Sequence, residues 1–382
     1  MMIKFKCEVI ILKAVGIICE YNPMHNGHLY HIKKVKELYP DYAIILVMSG
    51  NFTQRGDVSL IDKWKKCDVA LNYVDLVVEL PFVYATQAAD IFTKMSCEIL
   101  KSLNVSAFVF GSESNDVEML KQMVLIQQSA DYQVKVRDYL DKGFNYPTSM
   151  SLALKDLGGT LMNKSNDLLG LGYVRGLQNS NIEVKTIKRT NDYNSLNLTE
   201  KITSARSIRQ ALREGVDIKD YVPSIVYDNL KNIHFNDDYF DYLRYKIITD
   251  DDLSKYLGVD EGIEGKIKGE VLKANNLDDL IKRVKSKRYT YAKISRMFLH
   301  ILCGFTKEEA KKTRSLEYIR VLGFNDKGQK YLKEVRDKCD IPILVKYEKG
   351  YLALDIERRV SLVYHIKEDD VIDEYKHKVI IH

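Results

Sequence analysis

Short apolar runs alternate with helical patterns through the first half of the chain, and this alternation limits the folds open to it. The runs are AVGIIC (residues 14–19), YAIILVM (42–48), VDLVVEL (74–80) and VSAFVFG (105–111), with IEVKTIKR (182–189) as a later one. The first four are almost wholly apolar, so each is predicted to be a strand that is buried on both faces.

Helical patterns fill the gaps between these runs. In GHLYHIKKVKELY, apolar residues recur at Leu29, Ile32, Val35 and Leu38, which is a helical period. Similar patterns occupy residues 62–73, 87–103 and 115–125. Strands that are separated by helices and buried on both faces predict an α/β fold with a Rossmann-like parallel sheet.

The texture of the sequence changes after about residue 225. Helical patterns dominate there, Lys, Tyr and Asp are frequent, and strand-like runs are few. We place a domain boundary near YVPSI, residues 221–225. The prediction is an α/β domain of residues 1–225 followed by a mainly helical C-terminal domain of residues 226–382, and 382 residues are enough for both.

Composition excludes several classes of protein. A net charge of +5 is modest, so any basic surface must come from local clustering. Six scattered cysteines without a C-x-x-C pair argue against a disulfide framework and favour a reducing, cytoplasmic location. Lys13 interrupts the early apolar run, EYNP follows it, and no stretch of about 18 apolar residues occurs, so no leader or membrane span is predicted.

Polar, glycine-containing segments stand where the predicted strands end. They are CEYNPMHNGHLYHI (residues 19–32), SGNFTQRG (49–56) and FGSE (110–113). Because open parallel sheets bind ligands beyond the carboxyl ends of their strands, these three segments are predicted to share one binding site.

The sequence HNGH at the first of these ends indicates a site for phosphate. Gly27 lets the backbone approach a ligand, and the helix that follows is expected to present unpaired N–H groups and a positive dipole end. His25 and His28 are then placed to donate to phosphate oxygens. The spacing of His25, His28 and His31 also fits a metal, although no H-E-x-x-H pattern occurs, and a simple helix cap is a further alternative.

A resemblance adds to this interpretation. YNPMHNGH resembles the HxGH motif of the nucleotidylyltransferase superfamily. The ordered segments GIICEYNPMHNGHLYHI, MSGNFTQRGD, DLVVELPF, FGSE, NDLLGLGY, IKR and KRYTYAKISRMFLHIL are similar to those of bacterial tRNA(Met) cytidine acetate ligases. The similarity runs from about Lys13 to beyond Phe324, and the chain is identified as a member of that family.

The resemblance implies a reaction and its participants. ATP and acetate would give acetyl-adenylate and pyrophosphate, and the acetyl group would pass to N4 of the wobble cytidine of elongator tRNA(Met), releasing AMP. Magnesium would accompany ATP, the protein itself would supply no metal site, and no obligate protein partner is evident. His25 and His28 would be catalytic. The implied ATP contacts are Ile17, Ile18, Cys19, Glu20, Tyr21, Asn22, Pro23, Met24, His25, Asn26, Gly27, His28, Leu29, Tyr30, Gly111, Asn166, Arg189 and Thr190.

The segment TSARSIR (residues 203–209) has two interpretations. It resembles the helix start that grips phosphate in related nucleotidylyltransferases, which would involve Ser204, Ser207 and Arg209. Capping hydroxyls at an ordinary helix N-terminus explain the same letters.

Residues 281–320 form the most basic stretch, with twelve Lys and Arg against three acids. Lys293, Arg296 and His300 share one face of a predicted helix, and Tyr289 and Tyr291 are available to stack on bases. A solvated charged surface is the ordinary interpretation, but the family resemblance favours tRNA. The predicted tRNA-binding residues are Lys287, Arg288, Lys293 and Arg296.

Three functions therefore remain open from the sequence. The first is the acetate ligase acting on tRNA, supported by the ordered motifs and the basic stretch. The second is a small-molecule nucleotidylyltransferase, supported by HxGH alone but not by the long C-terminal half. The third is a non-catalytic RNA-binding protein that has kept an ATP-binding fold.

Overall fold

One eight-stranded sheet organises the protein. The computed structural model describes residues 12–189, 203–369, 371 and 373–382. The strands are β1 (Ala14–Cys19), β2 (Ala43–Ser49), β3 (Leu76–Leu80), β4 (Ala107–Ser112), β5 (Glu183–Lys188), β6 (Ile319–Phe324), β7 (Ile343–Leu344) and β8 (Ile380–Ile381).

The strand order is β5-β4-β1-β2-β3-β6-β7, with β8 also paired to β6. The first five strands are parallel to one another, and β6 joins β3 in the antiparallel sense. The predicted α/β fold with a Rossmann-like parallel sheet is therefore confirmed, and the five predicted strands begin and end within two residues of their observed bounds.

Helices connect the strands and continue beyond them. In the first half they are α1 (Asn26–Leu38), α2 (Lys63–Ala70), α3 (Phe82–Ala85), α4 (Ala89–Ser102), α5 (Val117–Gln127), α6 (Ala130–Asp141), α7 (Tyr146–Asp156) and α8 (Ser165–Leu177). After β5 they are α9 (Ala205–Arg213), α10 (Ser224–Asn229), α11 (Phe240–Thr249), α12 (Ile263–Val271), α13 (Leu277–Val284), α14 (Tyr291–Cys303), α15 (Lys307–Lys312), α16 (Asp326–Val335) and α17 (Leu352–Tyr364). Short 3-10 turns lie at Asn236–Tyr239, Leu253–Lys255 and Arg336–Lys338.

The sheet has an apolar core on each face. Ile45 and Val47 of β2 point into one core, whereas Ile44, Leu46 and Met48 point into the other. Successive side chains of a strand face opposite sides, so an apolar run in a covered sheet fills both cores at once. This is the physical reason that the central runs lack polar alternation.

The chain beyond residue 225 has two roles in the fold. Helices α11 to α14 enclose a third apolar core, drawn from residues 240–301. The chain then returns to the sheet through β6, a strand of six buried residues that the sequence analysis did not predict. The sheet therefore contains strands from both sides of residue 225. The proposed division into two domains at that residue stays a prediction.

A buried ionic cluster links these late segments to the sheet. The Lys63 ammonium lies 2.7 Å from Glu79 of β3, 3.2 Å from Glu357 of α17 and 2.8 Å from Glu374. Burial alone would lower the pKa of Lys63, but the three carboxylates outweigh burial and raise it. Lys63 is therefore charged, and the cluster holds the C-terminal segment against β3 of the sheet.

Two further observations bear on the predictions about membrane spans and disulfides. Within the described ranges, no helix is long and apolar enough to cross a membrane. The five cysteines described by the structure, Cys19, Cys67, Cys97, Cys303 and Cys339, are all free thiols.

Candidate functional site

Three strand ends meet at the carboxyl edge of the sheet. Strand β4 lies between β1 and β5, so the segments after Cys19, Ser112 and Lys188 leave the sheet side by side. From β1 the chain crosses to β2 on one side, while β4 pairs on the other, and such a switch point is where open α/β sheets bind ligands. The structure thus brings the first and third of the predicted segments together.

The two histidines of HNGH cap α1 with each other. His25 is the N-cap residue, and its Nδ1 accepts the N–H of Gly27 at 3.1 Å. The backbone N–H of His25 donates in turn to Nδ1 of His28 at 3.1 Å. The imidazole centroids lie 3.8 Å apart. The capping interpretation is therefore confirmed, and the cap uses one nitrogen, Nδ1, of each ring.

Burial keeps both rings neutral, and the cap fixes which nitrogen of each ring carries the proton. Burial, and next the charges of Arg189 and Arg209, lower the pKa of His25 to about 3. Burial likewise lowers the pKa of His28 well below its usual range. A neutral imidazole whose Nδ1 accepts a hydrogen bond carries its proton on Nε2. Each histidine therefore has an Nε2–H donor that the helix cap does not use.

The backbone at the start of α1 differs from our expectation. The N–H of Asn26 donates to the carbonyl of Tyr221 at 3.0 Å, and that of His28 donates to the carbonyl of His25 at 2.8 Å. Gly27 donates to the imidazole described above. The prediction that this helix presents unpaired N–H groups is wrong, because the cap and the residue 221 segment already pair them. Donors to an anion must come from side chains.

The turn between β1 and α1, residues 20–25, is called the histidine turn. It is held by the segment that follows β2. The Glu20 carboxylate accepts the N–H of Gln54 at 2.6 Å. The Asn22 amide donates to the carbonyl of Val58 at 3.0 Å and accepts the N–H of Leu60 at 2.9 Å. The predicted second segment, SGNFTQRG, thus supports the histidine turn.

Lys66 also holds this turn, although no motif in the sequence pointed to it. Its ammonium lies 2.9 Å from the Glu20 carbonyl, 2.8 Å from that of Ser49 and 2.7 Å from that of Gly50. Burial lowers the pKa of Lys66 to about 7. The available signal was the helical spacing in DKWKKCDVA, which puts Lys63 and Lys66 on the same face as buried Ala70.

The predicted ATP contacts at residues 17–30 do not all offer side chains to a ligand. Ile17 and Met24 are buried in the apolar core, so only their backbone atoms are available. Leu29 and Tyr30 line a surface groove beside α1. Burial raises the pKa of Cys19 to about 12, so its thiol is neutral and is no nucleophile.

Gly111, Asn166 and Arg189 form a second wall. A Cβ on Gly111 would lie 3.3 Å from Cγ of Arg189, so the arginine stem crosses the glycine backbone closely. Nη1 of Arg189 lies 3.5 Å from Oδ1 of Asn166. The charge of Arg189 reaches His25 and His28, whose pKa values it helps to lower. Thr190 lies outside the described residues.

Arg209 joins α9 to the histidine turn. Its Nη1 donates to the Asn22 carbonyl at 2.7 Å, and its Nη2 lies 3.1 Å from Asp57. The Ser204 hydroxyl accepts the N–H of Ser207 at 3.1 Å, which makes Ser204 the N-cap of α9. The capping interpretation of TSARSIR is therefore confirmed for Ser204, and the phosphate interpretation stays a prediction, with the positive charge of Arg209 lying near His25.

The predicted tRNA-binding residues differ in exposure. Lys287 and Arg288 are exposed before α14, and Lys293 lies over the Tyr289 ring, 4.0 Å from its centroid. Arg296 is half-buried and donates to the carbonyl of Gln54 at 3.2 Å. Burial, and next the charge of Arg55, lower the pKa of Arg296 to about 10. The basic helix therefore borders the segment that supports the histidine turn.

Two residues assigned to the basic surface, His300 and Tyr289, are buried instead, as is Arg320 at the end of the basic stretch 281–320. His300 is enclosed between the carbonyls of Thr86 and Leu257, at 3.0 Å from each. Tyr289 is 5% exposed, so it does not offer its ring to a base, and Arg320 belongs to β6 and is fully buried. Helical spacing alone put His300 on the charged face, but packing against residues 82–86 turned it into the core.

The structure also bears on the metal alternative. Within the part of the chain that it describes, no group of three or more His, Cys, Asp or Glu side chains is arranged to hold a metal ion. His31 is half-buried, and burial lowers its pKa to about 4.

Comparison with known proteins assigns the family. The HIGH Nucleotidyl Transferase family model matches residues 12–378. A tRNA(Met) cytidine acetate ligase of Clostridium acetobutylicum is 38% identical, and the alignment covers 97% of this chain and all of the relative. The ligase of the same name from a Geobacillus species is 36% identical over 92% of this chain and 94% of its own.

Solved structures agree with the sequence comparison. Apo Thermotoga maritima TmcAL superposes with a TM-score of 0.90 at 31% identity and covers 97% of this chain and 99% of its own. The same protein bound to alpha-thio ATP gives a TM-score of 0.85 at 30% identity, with the same coverage. The chain therefore belongs to the tRNA(Met) cytidine acetate ligase family of HIGH nucleotidyl transferases.

Proposed function

We propose that this protein activates acetate with ATP and transfers the acetyl group to N4 of the wobble cytidine of elongator tRNA(Met). The observation that carries the proposal is the mutual histidine cap, which keeps two neutral Nε2–H donors at the switch point of the sheet. The family relationship and the ATP-analogue complex of a structural relative support ATP as the nucleotide.

The first step forms acetyl-adenylate. An acetate oxygen attacks the α-phosphorus, and the bond from that phosphorus to the pyrophosphate oxygen breaks. Negative charge moves onto pyrophosphate, where His25 and His28 donate hydrogen bonds and Arg189 and Arg209 contribute positive charge. Donors fixed in advance around a buried site stabilise such charge without reorganising during the reaction.

The second step forms the amide. The N4 amine of cytidine attacks the acetyl carbon, the bond to the AMP oxygen breaks, and the amine loses a proton. Adenylylation makes this possible, because AMP is a far better leaving group than oxide. No covalent enzyme intermediate is required, which agrees with the neutral thiol of Cys19.

Magnesium is proposed to accompany ATP, held mainly by phosphate oxygens and water. The carboxylates of Glu20 and Glu113 are already engaged, because Glu20 accepts the N–H of Gln54 and Glu113 accepts the N–H groups that begin α8. This agrees with an ion that is held by phosphate and water and not by protein carboxylates. When bound, the ion would neutralise part of the phosphate charge.

The RNA is proposed to approach over α14 and the segment before it, with Lys287, Arg288, Lys293 and Arg296 contacting phosphates. Arg296 supports this placement, since it donates to the carbonyl of Gln54, which belongs to the segment that supports the histidine turn. Residues 226–382 would then serve mainly as the tRNA-binding domain. We place the enzyme in the cytoplasm, where charged and modified tRNAs are found.

The decisive experiment measures incorporation of labelled acetate into a tRNA pool with ATP, followed by nucleoside mass spectrometry. Acetylcytidine confined to elongator tRNA(Met) is the expected result. ATP turnover that requires a small nucleotide-like substrate and no RNA would instead identify a small-molecule nucleotidylyltransferase. Binding of tRNA with no pyrophosphate release would identify a non-catalytic binder.

A separate experiment tests the RNA surface. Lys287→Glu combined with Arg288→Glu should weaken tRNA binding, and each lost phosphate contact should lower the salt slope by about 1. Lys121→Glu combined with Arg137→Glu, on α5 and α6, is the matched control, because it reverses one exposed lysine and one exposed arginine elsewhere on the protein. Unchanged binding in the double variant would move the RNA surface elsewhere.

A further inference from the structure

Helix α8 begins without a cap of its own and receives one from another segment. Its N-cap residue, Lys164, makes no capping hydrogen bond through its side chain. The Glu113 carboxylate, which follows β4, accepts the N–H of Asp167 at 2.9 Å and that of Asn166 at 3.3 Å. A carboxylate at this end of a helix also meets the favourable end of its dipole.

The helix returns the same kind of contact to the strand end. The Asp167 carboxylate is buried, and it accepts the Ser112 hydroxyl at 2.5 Å, the N–H of Glu113 at 3.1 Å and that of Ser114 at 3.0 Å. Each of the two carboxylates therefore fixes the backbone that carries the other. We call Glu113 and Asp167 the carboxylate pair.

The pair also determines how the Asn166 amide points. Its Nδ2 donates to Glu113 at 2.6 Å, and its Oδ1 faces Nη1 of Arg189 at 3.5 Å. A carboxylate only accepts hydrogen bonds, so Glu113 forces the NH2 group toward itself and the oxygen toward the arginine. The second hydrogen of Nδ2 and the guanidinium are thereby given fixed directions.

We infer that Glu113 and Asp167 are positioning residues for ATP, acting through Asn166 and Arg189. The inference rests on the proposed function, which assigns those two residues to the nucleotide. The pair orders both before ATP arrives, so that binding does not have to order them. Removing it should weaken ATP binding in a protein that is otherwise folded, because ordering an amide and a guanidinium costs conformational entropy.

The test measures the affinity of the full-length protein for a non-hydrolysable ATP analogue by calorimetry. Glu113→Gln keeps the size of the side chain but turns an NH2 group toward backbone N–H groups, and we expect about tenfold weaker binding. Asp167→Asn should act in the same direction. Asp116→Asn is the control, since Asp116 caps α5 close by and asparagine caps equally well.

A double-mutant cycle separates positioning from general damage. If Glu113 acts through Asn166, Glu113→Gln should change the affinity less than twofold when Asn166→Ala is already present. A general loss of structure would lower the affinity equally in both backgrounds. Wild-type affinity in Glu113→Gln, or equal effects in both backgrounds, would overturn the inference.

Two provisions keep the test decisive. Ser112→Ala removes only one of the three donors to Asp167, so it replaces Glu113→Gln if that variant does not fold, with about threefold weaker binding expected. The measurement uses neither acetate nor tRNA. An enzyme that makes no acetylcytidine but whose ATP affinity follows the cycle would refute the proposed reaction and retain the carboxylate pair.

Discussion

The mutual histidine cap predicts that two roles of His28 can be separated by choice of substitution. Nδ1 of His28 accepts the backbone N–H of His25, and the cap does not use Nε2–H, which we propose as a donor to pyrophosphate. Asparagine places an acceptor oxygen near the position of Nδ1 and nothing near Nε2. His28→Asn should therefore keep the cap and lose the donor, whereas His28→Ala should lose both.

The magnitudes follow from the two hydrogen bonds. Loss of one prearranged donor to a developing anion lowers the rate about 10²–10³-fold, and we expect this in both variants. Loss of a helix cap costs about 1 kcal/mol, which applies to His28→Ala alone. For a protein of this size that lowers Tm by about 2 °C relative to His28→Asn.

The assays are acetate-dependent exchange of pyrophosphate into ATP for the first step and thermal unfolding for stability. The expected pattern is two equally slow variants, of which only His28→Ala is less stable. A wild-type exchange rate in His28→Asn would refute the donor role of Nε2. Equal losses of stability would refute the cap as the structural role of Nδ1.

Other predictions concern pH, the Gln54 segment and the buried cluster. Because burial lowers the pKa of His25 to about 3, the unfolded chain takes up a proton that the folded chain does not, and stability falls as pH drops from 6.5 toward 3. Urea unfolding should show His25→Asn losing up to about 1.4 kcal/mol less per pH unit than wild type in that range; equal slopes would contradict the shift. Gly56 has φ +81°, and a Cβ there would lie 2.6 Å from the N atom of Arg296, so Gly56→Ala should cost about 1–3 kcal/mol beyond the strain of Gly215→Ala, where space is open. Similar unfolding free energies for the two alanine variants would exclude that close contact. Lys63→Met should destabilise the protein by about 3–5 kcal/mol, since it leaves three buried carboxylates without their cation. A calorimetric unfolding free energy within about 1 kcal/mol of the wild-type value would show that these carboxylates are protonated.

The sequence by itself determined the central sheet and the place of the site. Runs such as residues 14–19 and 42–48 are apolar at every position and too short for a typical helix, which favours a strand covered on both faces, and HNGH follows the first of them. These are local patterns, and secondary structure that depends on local patterns can be predicted from a single sequence. The family is legible in the same way, because its motifs occur in order along the chain.

Only the tertiary structure decided which groups act and in what state. The neutral form of His25 depends on burial and on Arg209, which is distant in the chain but joined to the same turn through Asn22. Strand β6 and His300 were misread because their neighbours, β3 and residues 82–86, are distant in sequence. Burial, charge and hydrogen-bond partners arise when remote segments meet, and no periodicity along the chain records that meeting.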